Sequence, residues 1–393
     1  MGNSRRVAAF IVLRWLLTKE FPRDMLPDGP DRAFVQDLVY TVIRRLRPLR
    51  KTLGELLKTW PKGELEALLY VGAAQVMYMD EVPDFAAVNE TVSAAKLSSN
   101  PSIGKVVNAV LRNLIRRRGE FETKLAAADL GEREGYPSSI VRRWRTRYGD
   151  EGAEMLAKWH NQPAETYLAR RGGSFVKLER GVRVEDVDGF ADGDFIVQDP
   201  GTAGAVELME IAPGDEVLDF CAAPGGKTVQ MAWRGAKVTA CEVNPKRRER
   251  MLGNLRRMKL EVTVVGEVPE GSDGRTFAKV LVDAPCSNTG VFRRRPDARW
   301  SWSEEKLKTL TRLQAEILDR AVGRVAPGGR LVYSTCSNEP EENQMQVERF
   351  LSRHIEFKLV SVKESVPYKT GCDGAFAAAM ERKRTSNESE YGR

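Results

Sequence analysis

The sequence is poor in the residues that hold metal ions and disulfide frameworks. Its 393 residues include two histidines, His160 and His354, and five cysteines, an odd number with no C-x-x-C pair. Zinc sites are built from imidazole groups and closely spaced thiolates, and disulfide scaffolds from even sets of cysteines in short chains. We therefore predict no metal site and no disulfide framework.

Long apolar runs are also absent. None approaches the roughly eighteen residues that a membrane-spanning helix needs. Arg5 and Arg6 precede an apolar stretch at 7–17, as in a signal peptide, but Arg14 interrupts the stretch and no small-residue cleavage site follows. We expect an amphipathic first helix in a cytoplasmic monomer that has no membrane partner.

The chain does contain enough apolar residues for more than one core, and an excess of positive charge. Hydrophobic residues make up 42% and charged residues 30%, and the formal net charge is +7. The length predicts two or three domains. Basic residues cluster at 116–118 and 142–147, which is typical of surfaces that bind phosphate backbones, although solvated helix faces look the same in sequence.

The amino-terminal part, up to residue 120 or so, has the periodicity of helices. Apolar residues recur at spacings of three and four from Phe34, and Pro48 is expected to close that helix. Further helices are predicted at 65–79, 88–97 and 103–115. Trp144 and Tyr148, beside the second basic cluster, would either stack on RNA bases or form the buried side of a short helix. We favour the buried side, which leaves the arginines as RNA contacts.

The rest of the chain is organised around residues 216–228, E-V-L-D-F-C-A-A-P-G-G-K-T. A short apolar run ends in a loop of small residues, which predicts a buried strand, a tight turn and a helix from about Thr228. Gly225 and Gly226 would let backbone N–H groups approach a ligand, although two glycines alone would suit a plain turn equally well. The glycine spacing fits neither the dinucleotide fingerprint nor the phosphate-binding loop.

A second strand is predicted at 237–243, and Glu242 lies at its end. In doubly wound sheets, an acidic residue about twenty positions after the glycine loop holds the ribose hydroxyls of a cofactor. We therefore predict Glu242 as a ribose ligand. The alternative is a strand-end carboxylate that faces solvent.

Two later strands each deliver a cysteine to the edge of the sheet where sites lie. Residues 283–290, D-A-P-C-S-N-T-G, follow an apolar strand, and residues 333–337, Y-S-T-C-S, end another. A thiolate can activate cytosine by adding to C6, because the resulting enamine has a nucleophilic C5. Cys286 and Cys336 compete for that role, while Cys221 and Cys241, inside or beside apolar runs, are expected to be structural.

These three motifs resemble, in order and spacing, the S-adenosylmethionine-dependent RNA cytosine-5 methyltransferases. Asn89-Glu90 and residues 107–113 resemble the NusB-type RNA-binding helical domain, so the chain is similar to the bacterial ribosomal RNA members of that family. The resemblance covers most of the chain. It implies an all-α NusB-like bundle (1–125), linker helices with a small α/β subdomain (126–197), a Rossmann-like class I methyltransferase α/β domain (198–380) and a disordered tail (381–393).

The resemblance also implies roles for the site residues. Cys336 would be the nucleophile, Cys286 would assist product release, and Asp283 would hydrogen-bond the cytosine edge. Lys227 would help to order the pocket, with a structural charge at the strand edge as the alternative. The S-adenosylmethionine site would consist of Cys221, Ala222, Ala223, Pro224, Gly225, Gly226, Lys227, Glu242, Glu267 and Asp283.

The chain departs from the family pattern at two positions. Glu267 stands where an aspartate that contacts adenine is usual, and Asn288 replaces a glycine, which would stiffen its loop. Residues 292–300 resemble the family's target loop, and their arginines are expected to hold RNA while a cytosine is extruded into the pocket.

The predicted function is methylation of cytosine C5 in RNA, with small-subunit ribosomal RNA as the expected substrate. One alternative is a transfer RNA cytosine-5 methyltransferase. Another is a non-catalytic RNA-binding ribosome assembly factor whose helical domain does the work. The presence of Asp283, Cys286 and Cys336 together argues against the non-catalytic alternative.

Overall fold

The computed structural model describes residues 3–98, 100, 102–267 and 275–384, and the chain divides into two compact units. The first unit comprises Met1–Gln162 together with Arg295–Ser301, and the second comprises Pro163–Arg294 and Trp302–Arg393. Within the described residues, no helix is long and apolar enough to cross a membrane.

The first unit is a helical bundle, as the periodicity predicts. Its helices bury apolar stripes in a shared core that includes Trp15, Leu38, Tyr70 and Leu111. In chain order the helices are α1 (Ser4–Thr18), α2 (Arg32–Arg44), α3 (Leu46–Gly54), α4 (Glu64–Tyr78), α5 (Asp84–Lys96), α6 (Ser102–Arg116), α7 (Arg118–Ala126), α8 (Leu130–Glu134) and α9 (Ser138–Asn161).

Pro48 does not close a helix, so that prediction is wrong. Helix α2 ends at Arg44, and Pro48 is the third residue of α3. The first residues of a helix have no intrahelical acceptor for their N–H groups, and proline therefore costs nothing there. Its position relative to the helix start, which the apolar spacing did not reveal, decides its effect.

Trp144 lies on the buried side of α9, which confirms the interpretation that we favoured. Its ring packs edge-on against Tyr136 with centroids 4.9 Å apart, and 3% of its surface is exposed. Arg142 and Arg145 on the same helix are exposed. Tyr148 is half-buried, and the guanidinium of Arg147 lies over its ring, 5.1 Å from the centroid.

The second unit contains two sheets. The helices and strands that follow residue 162, in chain order, are β1 (Tyr167–Arg170), β2 (Phe175–Lys177), β3 (Phe195–Val197), α10 (Ala203–Leu208), β4 (Glu216–Asp219), α11 (Gly226–Trp233), β5 (Lys237–Cys241), α12 (Pro245–Arg257), β6 (Thr263–Val265), β7 (Phe277–Asp283), α13 (Ala298–Ser301), α14 (Glu304–Val322), β8 (Val325–Thr335), α15 (Gln344–Arg353), β9 (Phe357–Ser365), α16 (Pro367–Thr370) and β10 (Ala375–Arg382). All of them except α13 belong to the second unit. The small sheet has the order β2-β1-β3 and is antiparallel.

The large sheet has the order β6-β5-β4-β7-β8-β10-β9. The predicted strands of residues 198–380 are present, and β6, β5, β4, β7 and β8 are parallel to one another. Strand β10 is antiparallel to β8 and β9, so the sheet is mixed at this end. The connection from β9 to β10 is too short for a crossover, and a short connection joins antiparallel strands.

The central strands are buried on both faces. Leu218 and Val280 enter one core, and Val217 and Leu281 enter the core on the other face. Burial on both faces explains why these strands appear in the sequence as continuous apolar runs.

The carboxyl-terminal strand is longer than the sequence suggests. Strand β10 ends at Arg382, so the first two residues of the expected tail at 381–393 belong to the sheet. Residues 385–393 lie outside the described part of the chain.

Candidate active site

Four neighbouring parallel strands, β5, β4, β7 and β8, end at one edge of the large sheet. The ends of these strands and the segments that follow them contain all the site residues predicted from the motifs except Glu267. Ligands of open α/β sheets bind outside the carboxyl ends of the strands. The sheet order therefore brings the motifs to one edge although they are far apart in the chain.

The loop after β4 requires a glycine at position 225. Gly225 has a φ of +101°, and a Cβ atom there would lie 3.0 Å from Cγ of Met251. Helix α11 begins at Gly226, and Thr228 Oγ1 donates a hydrogen bond to Asp219 Oδ2 at 2.6 Å, which attaches the helix to the end of β4. Burial raises the pKa of Asp219 to about 7.

Glu242 is buried at the carboxyl end of β5, with 4% of its surface exposed, so a carboxylate facing solvent is excluded. It accepts a hydrogen bond from the N–H of Asn244 at 2.8 Å and lies 3.3 Å from Nη2 of Arg247. The same guanidinium donates to the carbonyl of Ala223 at 2.9 Å. Arg247 thus connects the glycine loop to the carboxylate predicted to hold ribose.

The residues of this edge fit the predicted cofactor, S-adenosylmethionine. The N–H of Ala222 donates to the carbonyl of Cys241 at 2.9 Å, which holds the small-residue loop against the strand that carries Glu242. A ribose diol presents two hydroxyl donors, and a carboxylate beside a loop without bulky side chains matches them.

Lys227 and Asp283 form an ion pair at the centre of the edge. Lys227 Nζ donates to Asp283 Oδ2 at 2.5 Å, and Ser334 Oγ donates to Asp283 Oδ1 at 2.6 Å. Burial alone would lower the pKa of Lys227, but the Asp283 carboxylate outweighs it and raises that pKa. Lys227 therefore stays charged, and together with Ser334 it holds both oxygens of the Asp283 carboxylate.

A cavity of about 300 Å³ opens next to this pair. Lys227, Asp283 and Cys336 all line it. Its remaining wall includes Gly201, Thr202, Ser365, Thr370, Cys372 and Phe376. The cavity therefore combines a cation, a carboxylate and a thiol.

The two candidate cysteines lie side by side. Their Sγ atoms are 3.3 Å apart, Cys336 is partly exposed and lines the cavity, and Cys286 is buried and does not line it. The hydrogen-bonded Cys336 thiol and burial raise the pKa of Cys286 well above its ordinary value. Of the two cysteines, Cys336 is the one whose side chain reaches the cavity.

Asn288 occupies a position with special backbone geometry. Its φ is +61°, in the left-handed region that glycine enters freely and that asparagine tolerates better than most residues. Its Oδ1 accepts a hydrogen bond from Cys336 Sγ at 3.3 Å, and its Nδ2 donates to the carbonyl of Cys286 at 3.0 Å. Asn288 thus bridges the two cysteines, which a glycine there could not do.

Two residues of the site were missed from the sequence. Ser334 pairs with Asp283 in the register of β7 and β8, and Cys372 reaches the cavity from the loop before β10. Ser334 lies two positions before Cys336, but only the register places it beside the carboxylate. The sequence carried no comparable signal for Cys372.

Glu267 lies apart from the cavity. It follows β6, its side chain is 67% exposed, and its carboxylate lies 3.1 Å from Arg320 Nη2.

The two cysteines that were expected to be structural differ in exposure. Cys241 is buried, as expected of a structural residue, and Cys221 is partly exposed in the glycine loop.

Within residues 292–300, Arg293 and Arg299 are buried, so the expectation of RNA contacts is wrong for these two, whereas Arg294 and Arg295 are half-buried. Arg293 is 4% exposed and donates to the carbonyl of Pro163 at 2.7 and 2.9 Å. Arg294 pairs with Asp199 and Asp373 in the second unit. Arg299, in the first unit, is fully buried, and burial lowers its pKa to about 10. These guanidinium groups satisfy carbonyls and carboxylates inside the fold.

Family models match a part of each unit of the chain. The family model for 16S rRNA methyltransferase RsmB/F matches residues 206–383, and the NusB family model matches residues 2–116. Ribosomal RNA small subunit methyltransferase B of Serratia proteamaculans is 33% identical over 96% of this chain and 98% of its own.

Solved structures share the fold. One crystal structure covers 97% of this chain and 99% of its own, with a TM-score of 0.79 and 22% identity. A methyltransferase homologue from Pyrococcus horikoshii covers 63% of this chain and 96% of its own, with a TM-score of 0.56 and 21% identity. Both similarities concern architecture, because the identities are low.

Proposed function

Because the chain belongs to the ribosomal RNA small subunit methyltransferase B family, we propose that it transfers a methyl group from S-adenosylmethionine to C5 of a cytosine in small-subunit ribosomal RNA. The observation that carries this proposal is the cavity in which Cys336, Asp283 and Lys227 meet. Covalent activation of a pyrimidine needs a nucleophilic thiol and a fixed polar group that holds the ring, and the cavity contains both.

Cys336 is the proposed nucleophile. Its thiolate adds to C6 of the cytosine, and the electron pair of the C5=C6 bond then makes C5 nucleophilic. Bound S-adenosylmethionine supplies the electrophilic methyl sulfonium that C5 attacks. Asp283, held by Lys227 and Ser334, accepts a hydrogen bond from the exocyclic amine of the cytosine and orients the ring, and the Lys227 ammonium offsets the negative charge that develops on the ring.

Cys286 is the proposed release residue. Cys286 first gives its thiol proton to solvent, and its thiolate then takes the C5 proton. The C5–H electron pair restores the C5=C6 bond, and the electron pair of the C6–Sγ bond returns to Cys336. Once Cys336 is a thioether, its thiol no longer raises the pKa of Cys286. The 3.3 Å between the two sulfurs places Cys286 within reach of the carbon next to the one that Cys336 holds.

The loop at 221–227 and Glu242 are the proposed cofactor site, with Glu242 on the ribose. They are continuous with the reaction centre because Lys227 belongs to both. Glu267 remains a proposed adenine contact, and it would have to leave Arg320 to make that contact.

RNA is the proposed partner of a monomeric, cytoplasmic enzyme. The exposed arginines of the first unit, Arg116, Arg142 and Arg145, are the proposed phosphate contacts. The relatives named as ribosomal RNA methyltransferases favour ribosomal over transfer RNA as the substrate.

A methyl-transfer assay tests the function. Purified protein should transfer tritiated methyl groups from S-adenosylmethionine to unmodified small-subunit ribosomal RNA, and the label should be recovered as 5-methylcytidine. Transfer RNA transcripts serve as the alternative substrate in a parallel assay. Preferential labelling of transfer RNA would identify it, rather than ribosomal RNA, as the substrate. RNA binding without any methyl transfer would favour the assembly-factor alternative.

A further inference from the structure

A buried carboxylate lies next to the two cysteine loops and has no part in the chemistry proposed above. Glu342, between β8 and α15, is fully buried. Its Oε1 accepts hydrogen bonds from Ser287 N–H at 2.9 Å and Gln314 Nε2 at 3.0 Å, and its Oε2 accepts one from Ser287 Oγ at 2.5 Å. A carboxylate is buried at a high cost unless donors satisfy it, and here they do.

These contacts fasten both chain neighbours of Cys286. Glu342 holds Ser287 through its backbone and its hydroxyl. Gln314 Nε2, which also donates to Glu342, donates to the carbonyl of Pro285 at 2.9 Å. The position of Cys286 is therefore fixed by hydrogen bonds to the residues on either side of it, Pro285 and Ser287.

Glu342 is itself anchored to the strand that leads to Cys336. Its carbonyl accepts a hydrogen bond from the hydroxyl of Tyr333, in β8, at 2.7 Å. The Ser287 hydroxyl lies 3.1 Å from Ser337 Oγ, directly after Cys336. One residue thus connects the loop of one cysteine to the strand of the other.

We infer that Glu342 is a positioning residue that holds Cys286 against Cys336 for product release. The inference rests on the proposed function, since it concerns the breakdown of the cysteine–cytosine adduct. Release needs the Cys286 sulfur near C5 while Cys336 is bonded to C6, and a displacement of about 1 Å can slow such a step by about a hundredfold.

The hydrogen-bond pattern provides a matched pair of variants. Glu342→Leu leaves the Ser287 N–H and the Gln314 amide without their acceptor. Glu342→Gln can keep its amide oxygen at the Oε1 position for both donors, while its NH₂ group donates to Ser287 Oγ. The Ser287 hydroxyl can then donate to Ser337. Gln therefore preserves the geometry without the charge.

The test measures adduct and turnover in parallel, with the full chain, tritiated S-adenosylmethionine and unmodified ribosomal RNA. In Glu342→Leu we expect the first methyl transfer to persist, steady-state turnover to fall by about tenfold or more, and a protein–RNA species resistant to denaturing electrophoresis to accumulate. Glu342→Gln should restore release. Gln346→Leu is the control, because that buried amide donates to Thr311 and touches neither loop.

A double-mutant cycle separates positioning from general destabilisation. If Glu342 acts through Cys286, then adding Glu342→Leu to Cys286→Ala should slow release no further, because the group being positioned is already gone. If the double mutant releases product more slowly than Cys286→Ala does, the inference is overturned. Accumulation of the adduct in Glu342→Gln would also overturn it, because the slow release would then be due to loss of the charge and not to loss of the geometry. If Glu342→Leu does not fold, Ser287→Ala takes its place, and wild-type release in that variant overturns the inference.

The wild-type protein and Cys286→Ala show which proposal has failed. Absence of methyl transfer by the wild type contradicts the proposed function itself. Normal wild-type transfer and adduct capture by Cys286→Ala, together with wild-type release in Glu342→Leu, contradict only the positioning role.

Discussion

The edge of the large sheet has two halves that are built differently. In the cofactor half, the loop after β4 is fixed largely by local features, such as the glycine at 225 and the bond from Thr228 to Asp219 nine residues earlier. In the reaction half, the loops after β7 and β8 are held by side chains about fifty residues apart, including Ser334 on Asp283 and Glu342 on Ser287. On the proposed function, the first half binds S-adenosylmethionine through loop shape and one carboxylate, and the second acts through side chains whose displacement by about 1 Å would slow the reaction about a hundredfold.

This difference has a consequence for variants. A change in the cofactor half should weaken binding or alter stability, whereas a change in the reaction half should alter chemistry while the fold persists. The four predictions below test that division.

The largest effect is expected from Cys336→Ala. Without its sulfur the C6 adduct cannot form, so methyl transfer should fall by at least about 10⁴-fold and covalent RNA capture should disappear. Transfer of tritiated methyl groups and denaturing electrophoresis measure the two quantities. Cys372→Ala, which alters another thiol on the same cavity wall, is the control and should retain capture.

Cys286→Ala should give the opposite signature. Attack and the first methyl transfer proceed, but proton removal loses its base, which is worth about 10²–10⁴-fold. We expect a stable protein–RNA species and slow turnover in the same assay. Capture by Cys336→Ala together with none by Cys286→Ala would reverse the two roles.

Asp219 in the cofactor half should affect stability through pH. Its pKa is raised by burial to about 7 from an ordinary 3.8, so the folded state binds this proton more tightly than the unfolded state. The resulting stabilisation is complete below pH 3.8 and is lost as the pH rises through 7, by up to about 4 kcal/mol.

Asp219→Asn removes this dependence. Urea denaturation at several pH values should show the free energy of unfolding of the wild type falling relative to that of the variant between pH 4 and 8. A constant difference across that range would contradict a protonated Asp219. Lys227 and Asp283, the charged groups that also influence Asp219, stay in both proteins.

The smallest effect is expected from Glu242→Ala. Loss of a hydrogen bond from the ribose to a charged group should weaken S-adenosylmethionine binding by about 1.5–3 kcal/mol. Calorimetry measures this, with Glu249→Ala as a control on an exposed carboxylate of α12. Unchanged affinity in a folded Glu242→Ala protein would remove this residue from the site.

Much of the sheet edge could be predicted because its signals are local. Apolar runs that end in small residues specify β4 and its turn, and the same pattern before Asp283 and Cys336 specifies β7 and β8. Parallel strands carry their loops to one edge, so the motifs had to meet. The chemistry assigned to each cysteine came from family resemblance, which the sequence also contains.

The burial of individual side chains and the pairing of residues far apart in the chain could not be predicted from local sequence patterns. Arg293 and Arg299 are arginines in a basic stretch, which suggests RNA, yet each finds its acceptors far away in the chain and is buried. Strand β10 is antiparallel because of the short connection before it, although its apolar composition would suit either direction.

The sequence alone determined the helical first part, the strand–loop–helix order of the second and the identity of the reactive groups, since each depends on residues close together in the chain. Tertiary structure decided which cysteine faces the cavity, which carboxylate holds which loop and which arginines are exposed. These properties depend on distances between residues separated by tens to hundreds of positions, and such distances are set by the packing of whole elements rather than by any local pattern.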